Sequence, residues 1–335
     1  MKRVSVAIPC RNEVKNIKAC VEAALKSNYP DIEVIVVDGM STDGTRIVLD
    51  QLCAQYKNFK YVDNVAQLTP YAFNLGIQNA SGDYVQIVGS RNILDPEYIP
   101  TMVAVLENDS SIACVGGDYQ HVYDTDMARY IASAMESKFG VGPGNYRTMN
   151  QDCFVDTVGV PMYRKSIFAE IGMFDERLTR NQDDDFNYRV TQKGHKIFYA
   201  SRGKVLYYVR GTYKKLFRQY MQYGYFKVFV NKKHHAVTTL RQLVPATFLL
   251  FLLIGLGMSV LWNVFMLPYL SIIGLYLILG LVVSASVAKK WWEIFPIVGA
   301  CMVMHIAYGQ GYLKGIWDFL ILNRMPARSM QEQTT

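Results

Sequence analysis

Three consecutive acids, Asp183-Asp184-Asp185, lie between Thr179-Arg180-Asn181-Gln182 and Phe186-Asn187-Tyr188-Arg189. Like charges at neighbouring positions repel and raise one another's pKa. A chain keeps such a cluster at a solvated helix start, where Asp suits the dipole, or at a site that needs a base or a cation. Taken alone, the cluster leaves both open. The other polar groups able to do chemistry follow apolar runs: Pro9-Cys10-Arg11-Asn12-Glu13, Asp38-Gly39-Met40-Ser41 and Gly89-Ser90-Arg91-Asn92. Asp38 before Gly39 also suits a plain turn, and capping alone explains Asp43.

The elements that position these groups are read from periodicity. Val4 to Ile8 and Glu33 to Val37 are short apolar runs typical of buried strands, and Glu13 to Lys26 has helical spacing at Val14, Ile17, Val21 and Leu25. A second helix starts near Thr42-Asp43-Gly44-Thr45, with Asp43 or Thr42 as N-cap. Phe59 to Val62, Pro70 to Asn79 and Asp83 to Val88 continue the alternation of strand and helix. That order predicts parallel strands with helices on both faces, and ligands in such sheets sit beyond the C-terminal strand ends. The three polar stretches fall at those ends. Further on, strands are expected at 112–120, 158–163, 196–199 and 205–208, a helix at 127–139 and a helix from the acidic stretch to Lys193.

Composition divides the chain of 335 residues. From Gln242 to Ala288 there is no Asp, Glu, Lys or Arg, enough for two membrane-spanning helices joined by a turn at Asn263 to Pro268. A second uncharged run covers Ile294 to Leu313. It is bracketed by Lys290 and by Lys314, Arg324 and Arg328, so charge gives it no preferred direction, and a re-entrant segment is as good a reading as a crossing. Thr212 to His235 mixes aromatic with basic residues, as a helix lying in the membrane interface does; a surface helix with an apolar stripe packed on the sheet is the other reading. The expected domains are 1–211 (α/β), 212–241 (interface helix), 242–322 (membrane, two or three hydrophobic helices) and 323–335 (polar tail).

Met1-Lys2-Arg3 leads straight into a strand, which predicts no signal peptide and a domain that stays in the cytoplasm, at the inner membrane. The 6 cysteines are scattered without a C-x-x-C pair, fitting a reducing compartment with neither disulfides nor zinc. The formal charge of +7 is modest, with much of the basic excess near the apolar segments. Nucleic acid is a poor alternative partner, since no binding module is visible.

The order of motifs resembles a family-2 glycosyltransferase of the GT-A fold, nearest to the succinoglycan-type (ExoA-like) glucosyltransferases. Four passages carry the resemblance: Ser5 to Glu13; Ile35 to Thr45; Met162-Tyr163-Arg164-Lys165 with Ile171 to Glu176; and Asn181 to Arg189. It implies an α/β fold, a Rossmann-like mixed sheet with helices on both faces and a C-terminal transmembrane segment. By position it makes Asp183 the catalytic base, with Gln182 in place of the family's Glu. Pro9, Arg11, Glu13, Asp38, Ser90 and Arg91 would line the nucleotide pocket, while Asp185 and Arg189 would support the acceptor side.

One departure stands out. The family's divalent-cation motif, Asp-x-Asp at the end of the Tyr84-to-Val88 strand, is replaced by Gly89-Ser90-Arg91. A hard cation wants oxygen ligands, which neither Gly89 nor Arg91 supplies. Mg or Mn as cofactor is therefore doubtful. Arg91 serves as a fixed cation on the leaving diphosphate, other acids such as Asp95 hold a metal, or catalysis is lost. The processive synthases' Gln-x-x-Arg-Trp is also absent; Gln219 to Gly224 is the nearest passage, which favours a single transfer.

The expectation is a membrane-anchored inverting transferase moving one sugar from a nucleotide-sugar donor to a lipid-linked acceptor in cell-surface polysaccharide synthesis. A polyprenyl-phosphate sugar synthase and an inactive transferase-like membrane partner are its rivals. His305, in the third apolar run, either meets a lipid diphosphate or bonds a neighbouring helix. No organic cofactor is expected, and the oligomeric state is open.

Overall fold

The computed structural model describes residues 2–143, 145–209, 211–326 and 330. Arg328 and most of the expected polar tail lie outside the described residues. In chain order the first elements are β1 (Val4–Cys10), α1 (Ile17–Leu25), β2 (Ile32–Asp38), α2 (Thr45–Gln55), β3 (Phe59–Asp63), α3 (Thr69–Asn79) and β4 (Tyr84–Ile87). Then come β5 (Asn92–Leu94), α4 (Tyr98–Asn108), β6 (Ile112–Val122), α5 (Asp126–Glu136), α6 (Lys138–Val141), β7 (Cys153–Phe154) and β8 (Gly159–Arg164). The chain continues through α7 (Ser166–Ile171), α8 (Gln182–Gln192), β9 (Lys196–Tyr208), α9 (Tyr213–His234), α10 (Leu243–Leu261), α11 (Met266–Val287) and α12 (Ile294–Gly315).

These form two compact units, Met1–Val122 with Met149–Tyr208, and Tyr123–Thr148 with Val209–Thr335. Segment 123–148, expected inside the 1–211 domain, therefore clusters with the C-terminal helices.

The first unit carries a nine-stranded sheet in the order β3-β2-β1-β4-β8-β6-β9-β5, with β7 beside β9. β1 to β4 are parallel; β8 runs antiparallel to both β4 and β6. The parallel strands are apolar because both faces are covered, and every residue of β2 is buried. Two polar residues in these strands satisfy each other. Ser5 donates to Glu33 at 2.5 Å, and the Glu33 carboxylate also takes the Ser81 N–H at 2.6 Å and its hydroxyl at 2.7 Å. Burial pushes the Glu33 carboxyl up, but bonds from Ser5 and Ser81 with the charge of Lys60 outweigh it and hold it below its ordinary range.

Several boundaries differ from the sequence expectation for local reasons. The first helix begins at Ile17, because Glu13 to Asn16 form a turn whose carbonyls start the helix. The N-cap of α2 is Gly44 at φ 93°, a left-handed position that suits glycine, rather than Asp43 or Thr42. The two expected strands at 196–199 and 205–208 are one strand, β9, paired in parallel with β6 through a register shift at Gly117/Asp118.

In the second unit α9 is partly buried, with Lys214, Lys215 and Arg218 exposed. Leu216, Tyr225, Phe226 and Phe229 are buried, and its closest neighbour is α12. Glycines permit the approach: a Cβ on Gly311 would strike the Met221 carbonyl, and one on Gly224 the Tyr308 carbonyl. Small residues spaced for close helix contact are what membrane packing uses. Leu240–Leu261, Asn263–Val287 and Trp291–Ile321 are long and apolar enough to cross a membrane. His305 donates from Nε2 to the Phe139 carbonyl at 2.9 Å and pairs through Nδ1 with the Tyr276 hydroxyl at 2.8 Å, so both ring nitrogens bond neighbouring elements.

Candidate active site

The order β2-β1-β4 makes the gap between β1 and β4 a switch point: the chain leaves β1 toward β2 and returns on the other side to β4. Parallel sheets open a crevice there, beyond the strands' carboxyl ends. Glu13 comes from the loop after β1. Arg91 comes from a turn after β4, closed by the Asn92 N–H bonding the Gly89 carbonyl at 2.9 Å. Arg91 Nε donates to Glu13 Oε1 at 2.7 Å, and Glu13 Oε2 accepts from Asn16 Nδ2 at 2.7 Å. The crevice is thus bridged by an oriented ion pair, with Ser90 half-buried in the same turn.

The loop after β2 closes the same edge. Asp38 is fully buried, and its carboxylate accepts from the Ser41 N–H at 3.1 Å and the Ser41 hydroxyl at 2.5 Å. Arg46 lies 3.4 Å from Asp38 and 2.8 Å from Asp63, tying the ends of β2 and β3 together. Ser41 in turn accepts from the Asn12 N–H at 2.8 Å, and Asn12 Oδ1 accepts from the Thr42 N–H at 2.9 Å. Asn12 and Met40 hold φ values of 53° and 57°, the left-handed region that Asn tolerates and Met rarely adopts.

The Arg11 side-chain stem lies against Gly39, where a Cβ would come within 3.2 Å of Arg11 Cβ. Pro9 pairs in register with Val37. Asp43 accepts from Val14 N–H at 3.2 Å and from Thr45 N–H at 3.0 Å, which locks this loop to the one after β1. Burial raises the Asp43 carboxyl, but the Thr45 and Val14 bonds outweigh it, for a net downward shift.

The acidic stretch forms the first turn of α8, entered through Asn181 at φ 58°. The three acids separate by exposure: Asp183 is exposed, Asp184 half-buried and Asp185 fully buried. Asp185 meets Arg189, whose Nε donates at 3.2 Å, while Nη1 donates to the Ile171 carbonyl at 2.6 Å and Nη2 to Met173 at 2.7 Å. Arg189 therefore ties α8 to the end of α7 and the chain just after it. Beneath the helix, Phe186 stacks on Phe174 at 4.5 Å and packs against Tyr163 and Phe168.

Asn187, one turn beyond Asp183 and on its face, bonds the Tyr163 hydroxyl and Thr157 Oγ1, each at 3.0 Å. Thr157 precedes β8, whose antiparallel register with β4 puts it beyond the same strand ends as Arg91. Gln182 is buried, and its Oε1 has no hydrogen-bond partner among the described residues.

Sequence reasoning missed Arg46 and Asn16, which look like surface residues until the loops meet. It also missed an aromatic row. Asn92, Tyr207 and His121 are direct neighbours across β5, β9 and β6, and Tyr119 packs 5.3 Å from Tyr207. Cross-strand neighbours share a face. The spacing of β9 could not be seen while it read as two strands.

The groups present do not fit a divalent cation at the end of β4. Among the described residues no three His, Cys, Asp or Glu side chains cluster as ligands. The carboxylate nearest the turn, Glu13, has both oxygens committed. Asp95 is exposed and accepts from the Glu97 N–H at 2.9 Å at the start of α4.

Residues 5–172 match the glycosyl transferase family 2 profile. The chain is 27% identical to succinoglycan biosynthesis protein ExoA of Rhizobium meliloti (strain 1021), over 94% of this chain and 95% of that one. It is 29% identical, over 76% of this chain and 81% of the relative, to a dolichyl N-acetyl-alpha-D-glucosaminyl phosphate 3-beta-D-2,3-diacetamido-2,3-dideoxy-beta-D-glucuronosyltransferase of Methanococcus voltae. Its fold is similar, at TM-score 0.65 and 15% identity, to a mannosyltransferase of Pyrobaculum calidifontis solved with GDP-Man and Mn2+, covering 95% of this chain and 88% of the other. The sheet with its switch-point crevice, the match over half of the chain and these relatives agree: the protein belongs to glycosyl transferase family 2 and is a glycosyltransferase of the GT-A fold.

Proposed function

We propose that this protein moves one sugar, with inversion, from a nucleotide-sugar donor to a hydroxyl of a lipid-linked acceptor at the cytoplasmic face of the inner membrane. The donor nucleotide occupies the crevice lined by Pro9, Arg11, Glu13, Ser90 and Arg91, with buried Asp38 shaping the Ser41 loop that the base end meets. Asp183 is the base. As the acceptor oxygen bonds to the anomeric carbon, its proton passes to the Asp183 carboxylate and the bond from that carbon to the diphosphate breaks. The nucleoside diphosphate leaves with the bonding pair. Gln182 faces the acceptor side.

The observation that carries this reading is the division of labour on α8. Asp185 is consumed by Arg189 and buried, which leaves Asp183 exposed on a helix anchored by Phe186 and Arg189. An exposed carboxylate on an anchored helix suits proton abstraction from a docked hydroxyl. The two relatives' names, one in succinoglycan biosynthesis and one acting on a dolichyl-linked sugar, support a polysaccharide or lipid-linked product. The apolar helices support a site of action at a bilayer.

The test is transfer of label by the purified full-length protein from UDP- and GDP-sugars into bacterial lipid extract. Label in the organic phase is expected. Label confined to water-soluble products with every donor would contradict the lipid-linked acceptor.

A further inference from the structure

Arg91 is held by its inner edge. Its Nε is spent on Glu13, while the terminal amino groups make no hydrogen bond among the described residues. Glu13 is itself fixed at three points: Oε1 by Arg91, Oε2 by Asn16 and its backbone N–H by Thr45 Oγ1 at 2.9 Å. The Glu13 side chain is 11% exposed and the Arg91 side chain 35%, so the carboxylate is the buried anchor and the guanidinium the more open partner. The pair stands across the β1–β4 switch point, where the sheet opens to ligands.

Two adjacent terminal amino groups of a planar guanidinium match two oxygens of a phosphate or diphosphate. A divalent cation at this place would meet the guanidinium's like charge and find Glu13 already committed. The thiols nearby do not replace a carboxylate: burial pushes Cys20 up to about 12, so it remains protonated.

We infer that Arg91, oriented by Glu13, receives the negative charge of the departing diphosphate in place of a divalent cation. This rests on the reading that the crevice takes a nucleotide sugar. As the bond from the anomeric carbon to the diphosphate oxygen breaks, charge grows on that oxygen, and a pre-aimed cation stabilises it without reorganisation. Glu13 is a positioning residue here, acting through Arg91.

The experiment is titration calorimetry of the full-length protein in detergent with UDP, GDP, UMP and GMP, first in EDTA and then in Mn2+. The diphosphate is expected to bind in EDTA, more tightly than its monophosphate, and to gain little from Mn2+. Arg91→Ala should weaken the diphosphate roughly 10- to 100-fold, the cost of a charge-assisted contact, and leave the monophosphate nearly unchanged. Arg91→Lys, which keeps the charge but not the fork, should fall between and guards against a folding defect in the alanine variant.

A Mn2+-dependent gain of about tenfold or more in the wild type, or diphosphate affinity unmoved in Arg91→Ala, overturns the inference while leaving the donor reading standing. Failure of all four nucleotides to bind with or without Mn2+ overturns the donor reading itself, and the inference with it.

Discussion

Glu13 and Arg91 meet across the opening between β1 and β4, with Arg91 Nε donating to Glu13 Oε1 at 2.7 Å. One residue follows the first strand and the other follows the fourth, so the ion pair exists only once the sheet is assembled. It fixes the side chain that stands where a cation-binding acid is expected.

The pair's geometry can be tested from the Glu13 side. Glu13→Gln keeps an acceptor for Arg91 Nε and should preserve nucleoside diphosphate affinity. Glu13→Ala frees the guanidinium and should weaken it by roughly 3- to 10-fold, the worth of one hydrogen bond. Calorimetry with UDP and GDP reads both. Equal affinity in the two variants would mean that Glu13 does not position Arg91.

Arg189 should matter to stability before it matters to chemistry. Removing it leaves Asp185 buried without its Arg189 partner and abandons the Ile171 and Met173 carbonyls. Arg189→Ala should cost about 3 kcal/mol, the penalty for breaking a buried pair. Arg189→Lys should not rescue it fully, because one ammonium cannot serve two carbonyls and a carboxylate in the guanidinium's plane. Thermal melts in detergent would show the loss.

Glu33 gives the first unit an acid sensitivity. Its folded carboxyl lies below the ordinary value of 4.5 because Ser5, Ser81 and Lys60 favour the charged form over the opposing effect of burial. The unfolded chain then binds the proton more readily. The stabilisation is complete above the unfolded value and is lost as pH falls through the folded one. The melting temperature should therefore decline below about pH 4.5, and less steeply in Glu33→Gln. Parallel pH profiles of the two proteins would contradict this.

Gly311 tests the packing of the membrane helices. Any side chain there meets the Met221 carbonyl, so Gly311→Val should separate α9 from α12 and lower the melting temperature and yield. Ala at Gly257, where nothing lies within 4 Å, should be tolerated.

Much of this was legible before the structure. β1 to β4 announce themselves through short apolar runs, because strands buried on both faces cannot hide their composition, and the polar residues at their ends follow from topology. The uncharged run from Gln242 to Ala288 is equally plain. The misses share a cause, which is contact distant in sequence. The packing of α9 on α12 has no local signature, because the two helices lie far apart along the chain. β9 reads as two strands because Gly203 and Lys204 suggest a turn, yet pairing with β6 carries it through.

At the site, Asp183, Asp184 and Asp185 are chemically identical in sequence. Only tertiary burial, with Arg189 one turn on, separates them. The Glu13–Arg91 pair spans 78 positions and has no local signature.

The role of Asp183 as base of the transfer is tested by replacing it with Asn. The change removes proton-accepting capacity while keeping size and exposure on α8. The measurement is sugar transfer to the lipid acceptor by purified wild-type and Asp183→Asn protein, with nucleoside diphosphate affinity measured alongside. Turnover should fall by roughly 100-fold or more while nucleotide affinity holds, as expected for loss of a general base. Wild-type turnover in Asp183→Asn would contradict it.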